Sequence, residues 1–308
     1  MAELSEHTIK TYRYLRLAMA TLIVMLAASV AIEWWKAGRD CFQTSISAYY
    51  YTPVQAIFVG MMVSIGVCMV ALKGNIEWED ILLNGGGMLA PVVALVPTAG
   101  KGACRSVPVT FRDTPADIAN NMGALFVAGG LAFAITVFLA INARRAGTWD
   151  RRQTLGLVVA ALVFGGGIAW FSWNRDGFMT GAHYTAAIAL FVCIIGVVVL
   201  NAKGFRRERQ ASRRSRWAYA NRYSVIAVAM VASAVGIGLW KWLVGWDHAV
   251  LWIEGVLIVL FATFWLIQTH ELWDEGLRET GDIQLDDPHG GHLTATVKEG
   301  VRDGDSPT

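Results

Sequence analysis

Long apolar blocks, separated by short charged gaps, restrict this chain more than any motif it carries. A helix needs about 20 apolar residues to cross the hydrocarbon of a bilayer. Eight segments meet or approach that length: 14–35, 54–73, 80–97, 117–141, 155–173, 181–201, 220–243 and 249–269. Inside lipid every backbone N–H and C=O needs an internal partner, so a single segment crosses only as a helix. The chain therefore reads as all-α: a polytopic transmembrane bundle of about eight spans over residues 1–270. An acidic tail, 271–308, follows; it is Gly- and Asp-rich and reads as disordered. Only 16% of the residues are charged and 55% are hydrophobic, against roughly 25% charged in a soluble domain. A soluble enzyme is excluded on that ground.

The first segment follows Lys10, Arg13 and Arg16, as the core of a signal peptide would. Its apolar run is long, and Glu33-Trp34-Trp35 follows without a clear cleavage site, so it reads as a retained span. The third holds Asn84, Gly85, Gly86, Gly87 and Pro91. A kinked span is the expectation there, with a re-entrant or broken helix as the alternative.

Lys and Arg set the orientation, since they accumulate on the cytoplasmic side. With the N-terminus inside, 19 of the 26 cations fall in inner segments and 7 in outer ones. Both termini are then inside. Eight tryptophans, among them Trp34, Trp35, Trp170, Trp173 and Trp240, gather near the outer surface as an interfacial belt. The inner loop 203–222 carries eight cations and one anion, and its expected partner is anionic lipid headgroups. Nucleic acid is not expected as a partner.

Residues Tyr51-Thr52, Ala56 and Phe58-Val59 recur as Tyr184-Thr185, Ala189 and Phe191-Val192, five identities in nine positions. Both helices run from outside to inside. Two parallel four-helix halves are one reading of this echo; chance likeness between apolar helices is the other.

Ionisable and amide groups inside lipid are costly and face a cavity or a partner. On this topology the unusual ones fall mainly in the outer half. Ser45, Ser47 and Tyr50 precede the second span. Asp117, Asn120 and Asn121 share one face of the fourth, by their spacings of three and four. Glu254 lies about 10 Å deeper than Asp247 on the eighth. These seven residues are the candidate ligand-binding set. His183 and His248, on the same side, are candidate metal ligands, with zinc as the metal two histidines and two carboxylates would suit. No HExxH or HxxxH occurs, and no cofactor is expected otherwise. Cys41 and Cys104 fall in outer loops and are a candidate disulfide in an oxidising compartment. No Walker A motif, Rossmann glycine pattern or CxxCH is present, which removes the commonest nucleotide and haem chemistries.

The run Ser45-Ile46-Ser47-Ala48-Tyr49-Tyr50, with Thr52-Pro53 and Phe58-Val59-Gly60, resembles a signature of bacterial multi-pass membrane proteins with no assigned activity. Glu79-Asp80, Leu82-Leu83-Asn84 and Met88-Leu89-Ala90-Pro91 through Pro97-Thr98 resemble the same group, and the likeness covers about residues 40–130. It implies a bacterial origin, and with it a place in the bacterial plasma membrane, and no mechanism. A more distant likeness is to ceramidase-type membrane hydrolases, which place Ser, Asp and three His around zinc. Here His248 has no partner four residues away, so no catalytic mechanism carries over. Three expectations stand: an outward-facing polar site that binds or transports a small polar or lipid-headgroup ligand, a membrane-embedded metal-dependent hydrolase, or a structural, partner-binding membrane protein.

Overall fold

The computed structural model describes residues 6–38, 42–98, 114–211 and 222–273, and all of them lie in one compact unit, Met1–Arg278. Among these residues the only regular elements are helices: α1 (Glu6–Lys36), α2 (Gln55–Ala71), α3 (Glu77–Leu95), α4 (Thr114–Arg145), α5 (Arg151–Trp173), α6 (Arg175–Ala211), α7 (Arg222–Val244) and α8 (Ala249–Glu271), with a 3-10 turn at Ser47–Tyr51. Six are long and apolar enough to cross a membrane; α2, with 17 residues, and α3 complete the eight. The protein is thus a polytopic helical membrane protein. Cys41, Cys104, most of the basic loop and the acidic tail beyond residue 273 lie outside the described residues.

Most inter-helix connections are short and sharply punctuated. The α4–α5 turn passes through Gly147 at φ +71°, and Asp150 then starts α5 with a capping box closed by Gln153. The α7–α8 turn uses Gly245, also at φ +71°. Both positions need the left-handed region that glycine enters without a Cβ penalty.

α3 is a continuous helix of 19 residues, about 28 Å long, with Pro91 inside it. It is the centre of the bundle, held between α2 and α6. Its glycines make this possible. A Cβ on Gly87 would lie 2.6 Å from the Gly66 carbonyl oxygen, and one on Gly66 would lie 2.7 Å from the Gly87 carbonyl oxygen. Pro91 has no N–H, so the Gly87 carbonyl four residues earlier lacks its helical donor. That freed oxygen turns to the bare Cα of Gly66. On the opposite side Gly86 faces Leu190 and Cys193 of α6, and Gly196 of α6 receives Leu82. The Gly-Gly-Gly-Pro stretch therefore packs two helices at close range, as small residues do in membrane bundles.

One large core joins α1, α2, α3, α6, α7 and α8 around Met19, Phe58, Met69, Leu83, Val198, Met230 and Trp265. A smaller one at the outer end gathers Val96, Ile118, Met122, Phe178 and Ala182. The first and last four helices are interleaved, since α3 packs on α6 and α1 on α8. The α4–α5 hairpin stands apart from this body: α5 has no buried residue, and α4 buries only Ile118, Met122 and Ala140.

Candidate functional site

Two polar assemblies and one large crevice emerge, with a buried histidine apart from them. The first contains much of the outer candidate set. The segment 43–48 lies against the start of α8. The Leu251 N–H donates to the Thr44 carbonyl (3.1 Å), and His248 Nδ1 lies 3.3 Å from the Gln43 carbonyl. The Glu254 carboxylate accepts the Ile46 N–H (2.6 Å) and the Ser47 N–H. Ser45 Oγ accepts the Ala48 N–H (3.1 Å) and shares a 3.0 Å contact with Ser47 Oγ. Tyr50 is buried in the core and stacks edge-on with Tyr51. The Tyr51 hydroxyl donates to the Thr98 carbonyl (2.9 Å), and burial holds its phenol above the usual tyrosine range, so it remains a neutral donor. Glu254 and Ser47 also line an apolar cavity of about 60 Å³ with Ile23, Phe58 and Phe261. This arrangement satisfies backbone donors that would otherwise be orphaned in the membrane. Glu254→Ala is expected to cost about 2–4 kcal/mol, because it strands two N–H groups. Glu254→Gln, which retains a carbonyl acceptor, should cost less than half of that. Thermal unfolding in detergent reads the difference.

His183 is buried, and its Nδ1 lies 3.1 Å from the Val93 carbonyl and 2.7 Å from the Val96 carbonyl. Two carbonyl partners require Nδ1 to carry the proton. Pro97 again explains the need: the donor that the Val93 carbonyl would take in a continuing helix is absent at a proline. Asp117, Asn120 and Asn121 lie on α4, which packs on α3 and α5, while Glu254 is on α8 against α1 and α7. The outer candidates thus occupy three separate places. Among the described residues no group of three or more His, Cys, Asp or Glu is arranged to hold a metal ion.

The second assembly lies at the opposite end of the bundle, which the charge distribution assigns to the inner side, a region to which the sequence reading gave little weight. Glu79, in the first turn of α3, is 3% exposed. Its Oε1 accepts Asn201 Nδ2 (2.6 Å); its Oε2 accepts the Asn75 N–H (2.8 Å) and Asn75 Nδ2 (3.0 Å). Asn201 on α6 is saturated. It also donates to the Val197 carbonyl (3.0 Å), and its Oδ1 accepts Gln268 Nε2 of α8 (2.9 Å) and Asn75 Nδ2 (3.3 Å). Arg16 of α1, 2% exposed, lies within electrostatic reach of Glu79. Four helices and the α2–α3 turn meet in this knot. The sequence carries little signal for it, since Arg16, Asn201 and Gln268 stand beside other polar residues at their helix ends.

The third feature is a crevice of about 930 Å³ between the α4–α5 hairpin and the α2–α3–α6 body. Its walls are apolar along Val70, Met88, Leu125, Phe133, Leu157 and Phe164. It runs from Arg152 to Trp170 along α5, about 27 Å by helical rise. Polar groups collect at its inner end: Lys73, Glu77, Asp80, Trp149, Arg152 and Gln153. Lys73 pairs with Asp80, and Arg152 Nε lies 3.7 Å from Glu77 Oε2. Asn84 faces the same crevice, exposed, one turn deeper than Asp80, with no hydrogen bond among the described residues.

The class this fold defines is a polytopic helical membrane bundle with a lateral crevice. Compared with family models, with curated proteins and with solved structures, the chain matches none.

Proposed function

We propose that this protein binds a long-chain amphiphile of the membrane in the crevice between the α4–α5 hairpin and the α2–α3–α6 body. One observation carries the reading: a space of about 930 Å³ that runs close to the full depth of the hydrocarbon, with mainly apolar walls and with all of its charged side chains at one end. That volume is at the upper end of the range for small-molecule sites. An amphiphile has the same division, with a chain that lies in the apolar length and a head that remains at the charged mouth. The small polar or headgroup ligand expected from the sequence becomes, on this reading, the head of a larger molecule. Its place moves from the outer to the inner side. The outer serines and Glu254 already spend their hydrogen bonds on the loop 43–48, which favours the crevice over them.

Ala160 of α5 lines the crevice, so Ala160→Trp fills it with a ring and leaves the main core, to which α5 contributes no buried residue, untouched. Protein extracted in a mild detergent is expected to carry co-purifying lipid, read by mass spectrometry, and the variant is expected to carry several-fold less at an unchanged elution volume. Equal lipid on both proteins would overturn the reading.

A further inference from the structure

The crevice mouth has an asymmetry that the amphiphile reading does not require. Asp80 has a backbone partner besides its cation, whereas each of the two cations has only its one acid. Asp80 accepts the Gly74 backbone N–H, which closes the α2–α3 turn, and its side chain is only 13% exposed. Glu77 is 32% exposed. Lys73 and Arg152 are 59% and 58% exposed, and each makes a single ion pair with one of these acids. The cations are the exposed members of these pairs, and Asp80 keeps the Gly74 N–H when Lys73 turns toward a ligand. They come from opposite walls, Lys73 from the end of α2 and Arg152 from the start of α5. Trp149 stands beside them on the α4–α5 turn, its Nε1 donating to Thr154 Oγ1 (2.9 Å), and Arg144 donates to the same hydroxyl (3.1 Å). Asn84 lies one turn deeper, with free amide donors.

We infer that the mouth is an anion subsite and that its occupant is the phosphate head of an anionic phospholipid whose chains lie in the crevice. The inference rests on the amphiphile reading above and names the ligand class for the same site. Arg152 offers a planar fork that matches two phosphate oxygens, and Lys73 offers a point charge from the facing wall. Basic pockets between membrane helices on the inner side take lipid heads by this chemistry. The same two cations tie the α4–α5 hairpin to α2 through the ligand, which bridges helices that otherwise have little contact. Asn84 supplies a hydrogen bond to an ester oxygen below the phosphate, at the depth where a lipid carries its linkage to the chains.

The test uses the full chain, delipidated in detergent and offered phosphatidylglycerol or phosphatidylcholine with identical acyl chains, with bound lipid counted by native mass spectrometry. The expected preference for phosphatidylglycerol is about tenfold, the worth of one charge-assisted hydrogen bond. Lys73→Gln with Arg152→Gln is expected to reduce it to about unity, with the larger loss of retention for phosphatidylglycerol. A preference that survives the double substitution would place the anion elsewhere and overturn the subsite. Equal retention of both lipids by the unsubstituted protein, with Ala160→Trp lowering both, would overturn the subsite and leave the amphiphile reading intact. Retention of neither lipid above the Ala160→Trp level would remove both readings.

Discussion

Glu79→Ala is expected to lower the stability of the detergent-solubilised protein by about 3–5 kcal/mol, the range for breaking a buried charged network from one side. The carboxylate accepts three hydrogen bonds, from Asn201 Nδ2 and from the backbone and side chain of Asn75. Alanine leaves these donors facing a void where water has little access. Glu79→Gln is a sharper probe. One end of its amide still accepts, but the other becomes an NH₂ turned toward a donor. It should fall between wild type and alanine. Because Asn201 is saturated, Asn201→Leu strands Asn75, Gln268 and Glu79 together, and the double variant with Glu79→Ala should cost clearly less than the sum of the singles. Chemical or thermal unfolding of the four proteins reads this coupling. A Glu79→Ala variant within about 0.5 kcal/mol of wild type, the ordinary range of a neutral surface change, would show that the knot does not hold the bundle.

The second large effect is steric. Gly87→Ala places a methyl 2.6 Å from the Gly66 carbonyl oxygen and 2.6 Å from Val70 Cγ2; Gly66→Ala places one 2.7 Å from the Gly87 carbonyl oxygen and 3.1 Å from Pro91 Cδ. In both cases one obstacle is backbone, which does not rotate aside. Helices α2 and α3 must separate, and overpacking of this kind costs roughly 1–3 kcal/mol, with more where the backbone cannot yield. Alanine is the better helix former, so the local propensity change is opposite in sign to the expected loss. Gly60→Ala, on the same helix α2 with nothing within 4 Å of its Cβ position, is the control and should be neutral or slightly stabilising. Equal unfolding temperatures for Gly60→Ala and Gly87→Ala would contradict the close approach.

These two sites show unevenly in the sequence. The glycine run was visible, and what it pointed to was a kinked span, with a broken helix as the alternative, because Gly and Pro lower helix propensity. The structure uses the same residues as a contact surface on a continuous helix. Propensity speaks of one helix in isolation; the contact needs the second glycine, 21 positions earlier on a different helix. The polar knot was less visible still. Arg16, Asn75, Glu79, Asn201 and Gln268 are each unremarkable near a helix end, and only folding brings positions 16 to 268 to one point. At the outer side the sequence picked out real anomalies. Glu254 and the serines at 45 and 47 do meet, and their partners are backbone N–H groups that no side-chain pattern displays.

Helices α1, α4 and α6 run past their apolar blocks, α6 to 37 residues where 181–201 was the expected span. The number of helices and the return of both described ends to one side of the bundle, where Arg13 meets Trp273, were settled by the amino-acid sequence alone. Each follows from how many apolar residues hydrocarbon demands per crossing and where charge interrupts them. Which helix lies at the centre, which polar groups share a partner and where a crevice remains open were decided only by tertiary structure. In a bilayer the lipid is as apolar as the helix faces, so hydrophobicity says where a helix lies and nothing about its neighbours. Neighbours are chosen by close contact and by hydrogen bonds between residues far apart in the chain. Those are properties of pairs, and a pattern read along one strand of residues does not contain them.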